Sequence, residues 1–154
     1  MANSDLFDQK VAHQFFAVDC FNRAWDLIDK TQRTRDEDLL MVELNQASIF
    51  HWKSRSDCSD KNLSIGYWQA SRIQAILGNA KEASEYAEVC FDFSKKLEPF
   101  YLGYAYEAMA RAAALGNNQT EALRLLNLAK DQADLVEKSD NRNLLLSDLN
   151  GISL

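Results

Sequence analysis

A short segment of this chain occurs twice, and each copy joins two runs with helical character. The segment Gly78–Ala83 (GNAKEA) returns as Gly116–Ala122 (GNNQTEA), with one inserted residue in the second copy. The two glycines lie 38 residues apart. A period in the high thirties with a glycine between two helices is typical of a stacked array of helical hairpins. The repeat therefore predicts an all-α fold.

Hydrophobic spacing predicts seven helices, arranged as a right-handed stack of three antiparallel hairpins with a C-terminal capping helix. The chain has one proline and five glycines, which leaves room for long uninterrupted helices. We expect a single helical-repeat domain over residues 1–154. Its parts are an N-terminal hairpin over 1–55, two atypical repeats over 62–97 and 99–137, and a capping helix over 140–150.

Residues that favour helix ends mark several of these boundaries. Ser4 is expected to cap a first helix that runs from about residue 5 to 30. Thr34 and Glu37 have the spacing of a capping box at the start of the second helix. In the repeated segment the glycine is expected to end one helix and an asparagine to cap the next. The residues with these two roles are Gly78 and Gly116, and Asn79 and Asn118.

The first helix carries more aromatic surface than one neighbouring helix normally covers. Its apolar positions at three- and four-residue spacing are Phe7, Val11, Val18, Phe21, Trp25 and Ile28, and Phe15 and Phe16 widen this stripe. A core helix with two neighbours in its own chain would explain the pattern. A homodimer formed through the first helix is the alternative explanation.

Composition limits the classes of partner and compartment. The net charge of −6 and the pI of about 4.9 disfavour binding to nucleic acid or to an anionic membrane surface. We expect no secretory signal, because the first residues lack a basic start and an apolar core. Three widely spaced cysteines suggest neither a disulfide framework nor a zinc site, and Cys20 and Cys90 are expected to be buried. These features predict a cytoplasmic protein.

Small residues recur at matching positions in the two repeats. Ala83, Ala87 and Cys90 in the first correspond to Ala122, Leu126 and Ala129 in the second, and Ile65-Gly66-Tyr67 corresponds to Leu102-Gly103-Tyr104. In these features the chain from about residue 63 to 136 resembles tetratricopeptide repeats. In each repeat the stretch between the glycine and the first alanine is longer than in the family, so the first helices are extended. The resemblance implies a concave groove lined by the first helix of each repeat.

Three further segments, His51-Trp52, Trp68–Arg72 (WQASR) and Ala105–Arg111 (AYEAMAR), are similar to a group of short bacterial repeat-like proteins. That group has no assigned activity. The similarity implies a bacterial origin and a shared scaffold, and it implies no reaction.

Polar and aromatic residues on the first helices of the repeats form the candidate site. Helical spacing places Trp68 with Arg72, and Tyr104 with Glu107 and Arg111, on one face of their respective helices. His51 follows an apolar stripe on the second helix and joins the candidate set. An arginine pair in the groove would suit a carboxylate or phosphate. Alternatively, Glu107 pairs with either arginine and only fixes the register of the hairpins.

The sequence predicts no catalytic residue, no metal ligand set and no cofactor, because it lacks phosphate-binding loops, nucleophile elbows and metal-ligand spacings. The main interpretation is a non-enzymatic interaction module whose concave groove binds a protein or peptide partner. The alternative is a small-molecule protein or enzyme that binds an anionic ligand with the arginine, glutamate and histidine residues. An uncompensated arginine in a pocket would favour the small-molecule protein or enzyme. An open groove or an apolar face would favour the interaction module.

Overall fold

The computed structural model describes residues 7–154, which form seven α-helices and no strand. The predicted all-α fold and the number of helices in this range are confirmed. The helices are α1 (Gln9–Ile28), α2 (Arg35–Lys53), α3 (Asp60–Ile76), α4 (Ala80–Ser94), α5 (Pro99–Leu115), α6 (Gln119–Asp134) and α7 (Ser139–Asn150). They belong to two compact units, which divide between Ser59 and Asp60. None of the described helices has the length and apolar character needed to cross a membrane.

The first two helices begin at side-chain caps. Asp8 caps α1, because its carboxylate accepts the backbone N–H of Val11 at 3.1 Å. The predicted cap, Ser4, lies outside the described residues. The capping box of α2 is confirmed: Thr34 Oγ1 accepts the N–H of Glu37 at 3.2 Å, and the Glu37 carboxylate accepts the N–H of Thr34 at 2.9 Å.

Both repeated glycines follow the end of a helix, as predicted, but they use different backbone conformations. Gly78 has a φ of +81°, which a residue with a side chain rarely adopts. Gly116 has an ordinary φ of −79°, and the left-handed conformation passes to Asn117 with a φ of 60°. Asparagine tolerates this region better than most residues. The inserted residue of the second copy therefore changes which position makes the turn.

The two predicted asparagine caps also differ. Asn118 caps α6 as expected, since its side chain accepts the N–H of Glu121 at 3.2 Å. Asn79 precedes α4 but makes no side-chain cap. Its amide nitrogen donates instead to Gln74 Oε1 at 2.8 Å, which ties the turn back to α3.

The N-terminal unit is an antiparallel pair of helices that meet through small side chains. Ser48 Oγ of α2 donates to the carbonyl of Ala17 in α1 at 2.7 Å. Ala17, Cys20 and Ala24 are the buried residues of α1. Small residues therefore make the closest contact, and the predicted apolar stripe is exposed at Val11 and Val18 and half-buried at Phe21, Trp25 and Ile28. The large hydrophobic residues exposed on α1 and α2 are Val11, Phe15, Phe16, Val18, Leu39, Leu40 and Phe50.

The C-terminal unit contains two antiparallel hairpins and α7. Buried hydroxyls connect the first hairpin: Ser71 Oγ donates to the carbonyl of Ala83 at 2.7 Å, and Ser64 and Ser94 hydroxyls lie 2.7 Å apart. In the second hairpin, α5 packs along α6, and α7 contacts both of these helices. Helices α3 and α5 also pack together and run in the same direction, as the Trp68–Glu107 hydrogen bond and the Lys61–Glu98 ion pair show.

The core of this unit lies between α5, α6 and α7. The buried residues of α6 are Ala122, Leu125, Leu126, Ala129 and Ala133, and they include the three repeat positions matched in the sequence, Ala122, Leu126 and Ala129. From α7, Leu145 and Leu149 are buried, whereas Leu144 is exposed. Gly103 of α5 makes this close packing possible, because a Cβ atom there would lie 2.6 Å from Leu145 Cδ2 and 3.3 Å from the Cβ of Gln132.

Candidate functional site

A buried carboxylate on α5 organises the polar residues predicted from sequence. Glu107 is fully buried, and its Oε2 accepts Trp68 Nε1–H at 2.8 Å. Its Oε1 accepts both Nε–H, at 2.8 Å, and Nη2–H of Arg111. Arg72 Nη1 lies 3.6 Å from the same Oε1. The predicted proximity of the two arginines and Glu107 is confirmed, and α3 and α5 are linked through this one side chain.

A residue that the sequence did not indicate completes the cluster. Asp148 of α7 accepts the hydroxyl proton of Tyr104 at 2.7 Å through Oδ2, and its backbone carbonyl accepts Arg111 Nη2–H at 3.3 Å. The Tyr104 ring also contacts the Trp68 indole edge to face, with centroids 5.3 Å apart. We call Trp68, Arg72, Tyr104, Glu107, Arg111 and Asp148 the polar cluster. Burial and the carboxylate of Asp148 raise the pKa of Tyr104, so this hydroxyl stays protonated.

Arg72 is the incompletely paired member of the polar cluster. Its Nη1 is buried and has no hydrogen-bond acceptor, because the nearest carboxylate oxygen already accepts two bonds from Arg111. Burial lowers the pKa of Arg72, and the charge of Arg111 lowers it further, while Glu107 and Asp148 act in the opposite direction. Arg72 Nη1 is therefore an unpaired donor in a cluster whose two arginines are balanced by two carboxylates.

An open cleft of about 490 Å³ lies beside the two arginines. Its polar side is formed by Arg72 and Arg111, whose side chains are 25% and 19% exposed. Its apolar wall comes from the last turns of α3 and α5 and from the segment after α7. The residues of that wall are Ala75, Ile76, Ala114, Leu115 and Ile152, with Asn117, Gly151 and Ser153 at the edges.

The repeat explains why these side chains meet. Trp68 and Glu107 occupy corresponding turns of α3 and α5, and the two helices run in the same direction. Arg72 and Arg111 each follow one turn later, at the four-residue spacing that keeps a helix face. Each arginine therefore lies one helical turn beyond the level of the buried carboxylate, beside the cleft.

His51, the sixth predicted residue, belongs to the N-terminal unit, and the other five belong to the C-terminal unit. Its Nδ1 lies 2.8 Å from Nδ1 of His13, so the two rings share a hydrogen bond. His13 is half-buried against α2. Burial and the charge of His13 lower the pKa of His51 below its ordinary 6.5.

Aromatic rings surround this histidine pair and reach solvent. Phe16 and Phe50 lie 5.4 and 5.3 Å from the His51 ring, and Phe15 lies 5.2 Å from Phe16. Phe15, Phe16 and Phe50 are 59%, 38% and 61% exposed. We call these three phenylalanines and the two histidines the aromatic patch. The predicted pattern of aromatic excess on α1 thus corresponds to exposed rings.

The described residues offer little for covalent or metal chemistry. Burial raises the pKa of the Cys90 thiol to about 11, which suppresses its thiolate. Within residues 7–154, no group of three or more histidine, cysteine or acidic side chains is placed to hold a metal ion. The arrangement is suited to binding, through charge in the cleft and apolar contact at the aromatic patch.

No protein-family model, curated protein or solved structure matches this chain.

Proposed function

We propose that this protein is a non-enzymatic helical-repeat interaction module of the cytoplasm, with a tetratricopeptide-like arrangement of its hairpins. The support for this arrangement is the antiparallel pairing within each hairpin and the parallel packing of α3 on α5. In such a right-handed stack α3 and α5 line the concave groove. This groove, with its open cleft, is the surface proposed for a peptide segment of a partner.

The observation that carries the proposal is the exposed aromatic patch. A stripe continues from it at four- and three-residue spacing, from Phe7 just before α1 through Val11, Phe15 and Val18 on α1, and all four residues are exposed. Exposed apolar surfaces of this kind mark sites of protein association, since scattered single residues are the rule elsewhere. The patch and the stripe share Phe15 and therefore form one continuous surface.

The area of this surface suits a second copy of the chain. A whole aromatic side chain buries about 150–250 Å². At the exposed fractions found here, the three phenylalanines of the patch offer on the order of 300 Å², and the rest of the stripe offers a similar area. Two copies that cover these surfaces on each other would bury on the order of 1,200 Å², which is the lower range of specific interfaces. We therefore propose a homodimer through α1.

Light scattering coupled to gel filtration at micromolar concentration tests the proposal. We expect a mass of twice the 17.5 kDa of one chain. Phe15→Glu should convert the protein to a monomer, because it places a charge in the centre of the apolar surface. Leu123→Glu is the matched control, since Leu123 is a similarly exposed apolar residue, at 50%, on α6 of the C-terminal unit. A monomeric wild type, or a dimer that survives Phe15→Glu, contradicts the proposal.

A further inference from the structure

We propose that the cleft beside Arg72 and Arg111 is a binding site for a small monocarboxylic acid with a short aliphatic body. The carboxylate lies against the two guanidinium groups, and the aliphatic body lies along the apolar wall. The inference rests on the groove of the proposed function for its location. It adds a ligand class that the aromatic patch does not require.

Both arginines of the polar cluster line the cleft, whereas its two carboxylates, Glu107 and Asp148, are not among the lining residues. Arg111 occupies the available oxygen of Glu107, and the Asp148 carboxylate is engaged by the hydroxyl of Tyr104. Arg72 Nη1 lies 3.6 Å from Glu107 Oε1 and has no hydrogen-bond acceptor. A carboxylate in the cleft would bind the exposed parts of the two arginine side chains, and arginine binds this group with well-matched geometry.

The same surroundings favour a single negative charge over a double one. Glu107 and Asp148 both lie within the cluster and would repel a phosphate dianion more strongly than a carboxylate. The chain as a whole carries a net charge of −6, which adds to this preference. We therefore assign the site to a carboxylate and treat phosphate as an outcome of the test.

The size and lining of the cleft define the body of the ligand. Its volume of about 490 Å³ falls within the usual range for small-molecule sites. Its wall is made of alanine, leucine and isoleucine side chains, and it includes no aromatic ring. Branched or linear aliphatic groups of a few carbons match this wall, whereas a planar aromatic ligand would find no ring on which to stack.

Titration with defined probes tests the site in the full chain. N-acetyl-leucine carries the acid and the aliphatic body, N-acetyl-leucinamide is its neutral isostere, and inorganic phosphate is an anion without a body. NMR signals of the arginine Nε–H groups report binding directly at the two side chains. We expect N-acetyl-leucine to shift the signals of Arg72 and Arg111 and the amide to leave them in place. Equal binding of the amide or of phosphate overturns the assignment.

Variants separate the site from general charge effects. Arg72→Gln should weaken binding of N-acetyl-leucine by roughly tenfold or more, as expected for loss of a charge-assisted hydrogen bond. Arg124→Gln is the control, because Arg124 is exposed on α6 and pairs with Glu121. Equal affinity of wild type and Arg72→Gln contradicts the inference. The light-scattering measurement of the dimer uses neither these ligands nor these arginine variants. A negative result here therefore does not count against the homodimer proposed for the aromatic patch.

A pair of leucine-ended peptides identifies the source of the carboxylate. If the peptide with a free C-terminus binds more tightly than N-acetyl-leucine, and its C-terminal amide does not bind, the acid is the end of a partner chain. If the peptide binds more weakly, the ligand is a free small acid. Binding of both peptides with equal affinity supports the groove of the proposed function but overturns the carboxylate site.

Discussion

Glu107→Gln is the substitution that tests the role of the buried carboxylate most sharply. The change keeps the size of the side chain and an oxygen that can accept Trp68 Nε1–H. It removes the negative charge that Arg111 and Arg72 face, and it places an amide N–H₂ group where the Arg111 donors need an acceptor. Two guanidinium groups then remain in a partly desolvated site with their nearest carboxylate removed.

The expected cost follows from the burial of the three side chains. Removing one partner of a fully buried ion pair destabilises a protein by about 3–5 kcal/mol. Here the carboxylate is fully buried, but the two arginines keep about a quarter and a fifth of their exposure. Water can therefore recover part of their solvation, and we expect a loss of about 3 kcal/mol in the free energy of unfolding. For a chain of this size that corresponds to a fall of roughly 6–12 °C in the thermal midpoint.

Thermal and urea unfolding followed by circular dichroism measure this change. Glu121→Gln is the matched control, because Glu121 also pairs with an arginine of its own helix but lies on the surface. Its midpoint should stay close to that of the wild type, since exposed ion pairs contribute little. Equal midpoints for Glu107→Gln and the wild type would refute the argument that this carboxylate holds α3 and α5 together.

Three further predictions concern packing, capping and pH. Gly103→Ala should lower the free energy of unfolding by about 1–3 kcal/mol despite the better helix propensity of alanine, because the added Cβ would clash with α7. Gly116→Ala should be nearly neutral, and urea unfolding measures both variants. Thr34→Ala should cost about 1 kcal/mol through loss of the cap on α2, measured by the same method. The lowered pKa of His51 means that the unfolded chain binds its proton more readily, so stability should fall as pH drops below about 6.5. That fall should be smaller in His51→Gln, and an unchanged pH profile would contradict the assignment.

The repeated segment predicted the helices of the C-terminal unit well, because capping and hydrophobic spacing are local properties. The two repeats were predicted over 62–97 and 99–137, and their helices span 60–94 and 99–134. The turn at Asn117 was not predicted, since an inserted residue can be accommodated at either neighbour. Ala122, Leu126 and Ala129, which match the small-residue positions of the first repeat, are all buried.

The packing face of α1 was not predictable from hydrophobic spacing. Phe15 and Phe16 are exposed, Phe21 and Trp25 are half-buried, and the buried residues of α1 are Ala17, Cys20 and Ala24. Predictions from hydrophobic spacing rely mainly on large side chains, although two helices can pack closely only where their side chains are small. A sequence pattern therefore indicated an aromatic surface on α1 but not whether that surface was inside or outside.

The candidate site was predictable as far as helix periodicity extends. Trp68, Arg72, Tyr104, Glu107 and Arg111 meet because two helices with corresponding spacing pack in parallel. His51 lies on α2 in the N-terminal unit, so the periodicity of the two repeats gives no information about it. Asp148 carries no signal in the sequence, since a single aspartate on a polar face of α7 is ordinary.

The most direct test of the central claim, that the aromatic patch is an interface between two copies, is photo-crosslinking at that patch. A benzophenone-bearing phenylalanine analogue replaces Phe15 in one sample and Leu123 in another, and both samples are irradiated at micromolar concentration. Intact-mass spectrometry should show a covalent product of twice the chain mass from the Phe15 position and none from the Leu123 position. Equal crosslinking at both positions, or no dimer at Phe15, would contradict the interaction proposed for this surface.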